Sequence, residues 1–220
     1  MGDNNDLKPK VYFISGLGAN EKAFQLLDLS FCNPIFINWI TPLKKESLKD
    51  YAMRMMAVIP EENPIIVGLS FGGMLASEMA LAKPKANVVL ISSNKTKLEF
   101  PPYFRIGKYL PLYLLMPNHL FKLPQKCFLW MMSAESKAAK EILVQMAVET
   151  DMRFAKWAIR SILWWENKTV PQNITHIHGN ADRLLPCKYV KADFVIEGGQ
   201  HSMVLDKAEE ISALLKVIVY

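Results

Sequence analysis

The stretch IIVGLSFGGM, Ile65 to Met74, sets one serine between glycines where an apolar run meets a helical pattern. Ile65–Leu69 reads as a buried strand, and GGMLASEMALAK, ended by Pro84, as the helix after it. Two roles suit Ser70 at that junction. Serine is a good helix N-cap. It is also the residue that a sharp strand-to-helix turn presents as a nucleophile. In the second role, side chains two residues before and two after the serine would collide, and Gly68 and Gly72 supply the missing room. The rest of the chain has to choose between the roles.

Working outward, VYFIS (Val11–Ser15) is an apolar run closed by the glycine turn GLGAN, and IFINW is another, closed by Pro42. Leu48, Tyr51, Ala52, Met55, Met56 and Ile59 then recur at helical spacing up to Pro60. VVLIS follows the Ser70 helix as a fourth strand. Short apolar strands alternating with helices predict a parallel sheet covered on both faces. The alternation stops after Ser93 and resumes at ITHIH (Ile174–His178), then DFVIE (Asp193–Glu197) and a last helix from about Lys207 to Val217. An interruption of roughly 75 residues far exceeds an ordinary loop of about 2–6 residues. It predicts an inserted helical cap over residues 95–167, with residues 1–94 and 168–220 forming the core. Phe154, Trp157, Ala158, Ser161, Ile162 and Trp165 keep one helical face in it, and Ile142, Leu143 and Met146 suggest a helix before that.

At 220 residues and 51% hydrophobic content the chain can bury the core of one domain with an insertion. MGDNNDLKPK lacks the basic-then-apolar order of an export signal, and the cap's longest uncharged apolar run, LPLYLLMP, is too short and proline-broken to span a bilayer. Cys32, Cys127 and Cys187 are odd in number and far apart, so neither a disulfide framework nor a zinc spacing is expected, and the cytoplasm is the default compartment. A net charge of +5 with interspersed signs leaves no nucleic-acid footprint. One stretch differs: Phe100 to Ala134 holds no carboxylate, while Arg105, Lys108, Lys122 and Lys126 sit among apolar residues. A solvated basic face is the plain reading, and a membrane-surface or anionic-ligand site the alternative.

A serine hydroxyl needs a base within reach and an acid that orients the base. Among four histidines, His201 in IEGGQHSMVL follows a predicted strand, where a loop at the carboxyl edge of the sheet would hold it over Ser70. His119 falls in the cap. His176 and His178 share a strand face and suit packing better than a metal, since no third ligand of matching spacing appears. Asp182, in IHGNADRLLP, is the expected acid, with Asp206 in reserve; Asp193 and Glu197 read as solvated strand-end charges. Negative charge developing on an attacked carbonyl oxygen needs backbone N–H donors. Phe71, opening its helix, offers one. Leu17 in the turn SGLGAN offers the other, with Gly18 as second choice.

Taken together, GLSFGG, HGNADRLLP and GGQHSMVL, in the order Ser70, Asp182, His201, resemble the α/β-hydrolase superfamily of serine hydrolases, of the esterase and lipase kind with a helical cap. The resemblance runs from about Val11 to Leu215. It implies a small α/β-hydrolase fold with a mostly parallel sheet of about six strands, since only ten residues precede Val11. The family often carries His-Gly at the first strand's turn; this chain has Ser15-Gly16, which removes a supporting side chain there. The implied reaction is acyl transfer to water through acyl-Ser70, with no metal or organic cofactor. The expected substrate is a small apolar ester or thioester. A non-catalytic ligand-binding or interaction protein on the same fold is the competing reading. Residues 100–165 also hold 12 of the 23 aromatic residues and five methionines. If they line the pocket, trimming Trp130 or Trp157 should shift acyl preference; packing of the cap is the alternative.

Overall fold

A computed structural model of the chain describes residues 8–109 and 125–220. Six parallel strands form one sheet: β1 (Lys10–Ile14), β2 (Asn33–Phe36), β3 (Ile65–Leu69), β4 (Asn87–Ile91), β5 (Ile174–Gly179) and β6 (Phe194–Ile196), in the order β2-β1-β3-β4-β5-β6. The register sets Val11 beside Ile65, Ile65 beside Asn87, and Val88 beside Ile174. Because side chains alternate along a strand, the apolar runs feed two cores. Val11, Phe13, Val67, Leu69, Val89 and Ile91 serve one face, and Tyr12, Ile14, Ile66, Val88 and Leu90 the other. Strand β2 begins earlier than IFINW suggests. It takes in Pro34, which an edge strand accommodates because its missing N–H interrupts no ladder.

Helices α1 (Leu48–Met56) and α2 (Phe71–Ala82) cover the second core. Ser47 caps α1 by accepting the Asp50 N–H at 3.1 Å, a contact worth about 1 kcal/mol. Between β4 and β5 lie α3 (Phe104–Tyr109), α4 (Gln125–Met132), α5 (Lys137–Glu149) and α6 (Met152–Leu163). The two helical faces read from sequence are there: α5 buries Ile142, Leu143 and Met146 in the first core, and α6 buries Phe154 and Ala158 in the second. These helices are therefore packed into the cores of the sheet. The chain ends with α7 (Met203–Asp206) and α8 (Ala208–Val219), so the turn after His201 is itself briefly helical. His119, Lys122 and LPLYLLMP lie outside the described residues.

Candidate active site

Ser70 sits where β3 meets α2, with φ 51° and ψ −116°, a backbone geometry that a non-glycine residue adopts only when its surroundings impose it. Those surroundings are explicit. Ser70 N–H donates to Ile91 O at 2.9 Å, and Ser70 O accepts from Gly73 N–H (2.9 Å), Met74 N–H (3.2 Å) and Ser93 Oγ (2.6 Å). A Cβ on Gly68 would lie 2.6 Å from Gly72 O, and one on Gly72 only 2.3 Å from Ser15 O. The glycines thus let α2 rest against β3 and β1. The Ser70 hydroxyl makes no capping bond to its helix, so capping does not explain it.

Instead, Ser70 Oγ lies 2.9 Å from His201 Nε2, and His201 Nδ1 lies 2.8 Å from Asp182 Oδ2. The other Asp182 oxygen accepts two N–H bonds, from Leu184 and Leu185, each 2.8 Å. The loops after β5 and β6 that carry Asp182 and His201 are stitched together by Asn180 N–H to Ile196 O and Ala181 N–H to Gly199 O. Both side chains are almost fully buried. Burial pushes the Asp182 carboxyl up, but the charge and hydrogen bond of His201, with the Leu185 N–H, outweigh it and hold the group below its ordinary value. An ionised Asp182 keeps the Nδ1 proton of His201 on its own side, leaving the Nε2 lone pair toward Ser70.

The remaining candidates lie elsewhere. Asp206 accepts from the Glu135 and Ser136 N–H groups and from Ser202 Oγ, away from His201. Asp193 does more than carry a solvated charge, since it accepts the His176 N–H at 2.8 Å and faces Lys95 Nζ at 3.5 Å. Glu197 accepts from Asn180. His176 and His178 are both fully buried, with His178 Nδ1 3.3 Å from His176 Nε2. Burial lowers the pKa of each. No cluster of three or more metal-ligating side chains occurs among the described residues. Sequence reasoning missed the place of His178: its Nε2 donates to Leu185 O at 2.8 Å and lies 3.6 Å from Asp182 Oδ2, bracing the acid's loop. The HGxxD spacing within HIHGNAD was the available signal.

The turn after β1 lies against the serine, since a Cβ on Gly16 would be 3.3 Å from Ser70 Cβ. Leu17, Gly18 and Phe71 border the same cavity as Ser70. Phe71 opens α2, where N–H groups have no intrahelical acceptor. Among the described residues, neither the Leu17 nor the Phe71 N–H donates to a backbone carbonyl outside the regular elements. Two side chains hold the turn after β1: Ser15 Oγ and Trp39 Nε1 both donate to Ala19 O, at 2.9 and 2.8 Å.

Over Ser70 and His201 opens a cavity of about 360 Å³. Its wall is apolar, and the helices between β4 and β5 supply Phe104, Phe128, Met132, Leu143, Met146 and Ile162. A larger groove of about 750 Å³ lies beyond Gly18 and Met146 and does not include Ser70. Phe104 and Phe128 of this segment line the cavity but Trp157 and Trp130 do not, which corrects the pocket-lining expectation for those two tryptophans. Trp157 stands against Tyr51 with ring centroids 4.3 Å apart and borders the outer groove. Trp130 is two-thirds exposed beneath Arg183. Of the basic residues there, Lys108 pairs with Glu166 at 3.0 Å and Lys126 is exposed. No helix among the described residues is long and apolar enough to cross a membrane.

No protein-family profile matches the sequence, and no curated protein does. Solved structures match it over nearly its whole length. A lipase-esterase related protein from Clostridium acetobutylicum superposes with a TM-score of 0.73 at 17% identity, covering 96% of this chain and 94% of its own. A thermophilic esterase from Thermogutta terrifontis gives 0.74 at 11%, covering 95% and 88%. A hydrolase from Pseudomonas aeruginosa gives 0.73 at 11%, covering 99% and 92%. With the parallel strand order described above, the chain has the α/β-hydrolase fold.

Proposed function

We propose that this protein is a serine hydrolase that cleaves a carboxylic ester or thioester of a small apolar substrate. The observation that carries the reading is the chain of contacts Ser70 Oγ to His201 Nε2 (2.9 Å) and His201 Nδ1 to Asp182 Oδ2 (2.8 Å) at the floor of an apolar cavity. Ser70 Oγ attacks the acyl carbon as His201 Nε2 takes its proton, and the carbonyl π electrons move to the oxygen. Leu17 and Phe71 N–H groups receive that oxyanion. Its collapse breaks the bond to the leaving oxygen or sulfur, which departs with the proton held by His201. Water then attacks the acyl-Ser70 carbonyl, giving its proton to His201, and the acid leaves as Ser70 Oγ recovers that proton. Asp182 stays ionised throughout and holds the imidazole in the useful tautomer.

The helices between β4 and β5 act in this reading as a cap that excludes water and selects the acyl group. The described wall of the cavity carries no charged side chain apart from what His201 acquires, which favours neutral acyl groups over carboxylated or sugar-like ones. The esterase and hydrolase names of the structural neighbours agree with ester cleavage. Three free cysteines suit a reducing compartment such as the cytoplasm. The test is labelling by a fluorophosphonate together with turnover of p-nitrophenyl esters from acetate to medium acyl chains. Labelling confined to Ser70, with turnover rising along the series, is expected. A wild-type protein that neither labels nor turns over any ester is a binding protein, and the proposal fails.

A further inference from the structure

The turn that carries Leu17 is held from outside by a residue with no contact to the reacting atoms. Ala19 N–H donates to Gly16 O at 3.0 Å. In a trans peptide the C=O and the following N–H point in opposite directions. With Gly16 O turned toward Ala19, the Leu17 N–H of the same peptide faces the other way. The same peptide geometry recurs one step out. Thr150 Oγ1 lies 3.0 Å from Gly18 O, and the peptide that this carbonyl begins ends in the Ala19 N–H. Thr150 hydroxyl, peptide 18–19 and peptide 16–17 thus form a line of hydrogen bonds whose last N–H is that of Leu17. Bonds in such a line polarise one another in the same sense.

We propose that Thr150 is a positioning residue for the oxyanion donor Leu17, acting through the Gly18–Ala19 and Gly16–Leu17 peptides. The inference rests on the hydrolase reading above. Thr150 ends α5, so the segment between β4 and β5 reaches the chemistry through the oxyanion turn as well as through the cavity wall. Its position is tight: a Cβ on Gly18, whose φ is +72°, would lie 2.9 Å from Thr150 Oγ1. The same hydroxyl lies 2.9 Å from Met146 O within its own helix. One proton serves one carbonyl at a time, so a purely helix-ending role is the competitor that the experiment must separate.

Thr150→Val keeps the shape and removes the donor; Thr150→Ser restores it. For a p-nitrophenyl ester, Thr150→Val is expected to lower kcat about 10-fold with KM little changed, less than the roughly 10²–10³-fold loss of an oxyanion donor outright. It should weaken binding of a trifluoromethyl ketone, which forms an oxyanion on Ser70, by a similar factor, and Thr150→Ser should recover both. A Thr150→Val protein with unchanged kcat and ketone affinity, whatever its melting temperature, overturns the proposal. A fall in kcat that Thr150→Ser does not recover also overturns it. Failure of the hydrolase reading looks different, because wild-type protein would then bind the ketone no better than Ser70→Ala does.

Discussion

Replacing Asp182 by Asn tests the site most sharply, because the structure dictates which way the amide must point. Oδ1 of Asp182 accepts N–H bonds from Leu184 and Leu185, both 2.8 Å, while Oδ2 faces His201 Nδ1. In Asp182→Asn the new amide oxygen has to keep the Oδ1 place, since the flipped amide would confront two N–H donors with its NH₂. Each buried donor left unmet costs roughly 1–3 kcal/mol, so flipping costs about 2–6 kcal/mol. The NH₂ therefore donates to His201 Nδ1, the imidazole proton moves to Nε2, and Nε2 can no longer accept the proton of Ser70. The productive tautomer becomes less populated by the same free energy. At about 1.4 kcal/mol per factor of ten, kcat falls about 30-fold to 10⁴-fold. Initial rates on a p-nitrophenyl ester and the rate of fluorophosphonate labelling should fall together, with thermal unfolding little changed because both loop bonds survive. A variant within 3-fold of wild type on both assays refutes the tautomer argument and the role of Asp182 with it.

Ser70→Ala should abolish labelling and turnover while leaving a folded protein, checked by circular dichroism; full activity would end the mechanism. Asp206→Asn should leave kcat unchanged, because its carboxylate serves the Glu135 and Ser136 backbone and Ser202; a crippled variant would move the acid's role there. Ile159→Phe, which narrows the cavity wall, should lower kcat/KM for medium-chain esters about 10-fold relative to acetate, a cost of about 1.4 kcal/mol; an unchanged ratio would place the acyl chain elsewhere. Burial lowers the folded-state pKa of His178 below its ordinary 6.5, so its contribution to stability is present above that value and is lost as pH falls toward the lowered one. The stability of wild type relative to His178→Gln, from urea unfolding, should shrink by about 1.4 kcal/mol per pH unit through that window; a pH-independent difference would show that His178 is not held neutral.

The six strands, their parallel arrangement and the serine turn were legible along the chain because each rests on neighbours in sequence. Apolar runs of strand length mark the sheet, and Gly68 and Gly72 mark a turn too tight for any Cβ. Asp182 and His201 could be ranked from sequence because both follow strands and so fall at one edge of a parallel sheet. The boundary of β2 and the split between α7 and α8 were not legible, since edge pairing and a loop's own hydrogen bonds decide them. Nor was the division of the aromatic residues: Trp157 and Phe128 both lie on helices with apolar faces, and only packing sends one to Tyr51 and the other to the cavity. Thr150 and Trp39 had no local signal to mark them, and the HGxxD spacing at His178 does not say which atom its ring meets. Each donates to a distant or loop backbone carbonyl, at Gly18, Ala19 and Leu185. Thr150 reaches that carbonyl across 132 residues of chain. Periodicity reports which face of an element is buried; which distant atom a side chain meets there is settled only when the elements pack.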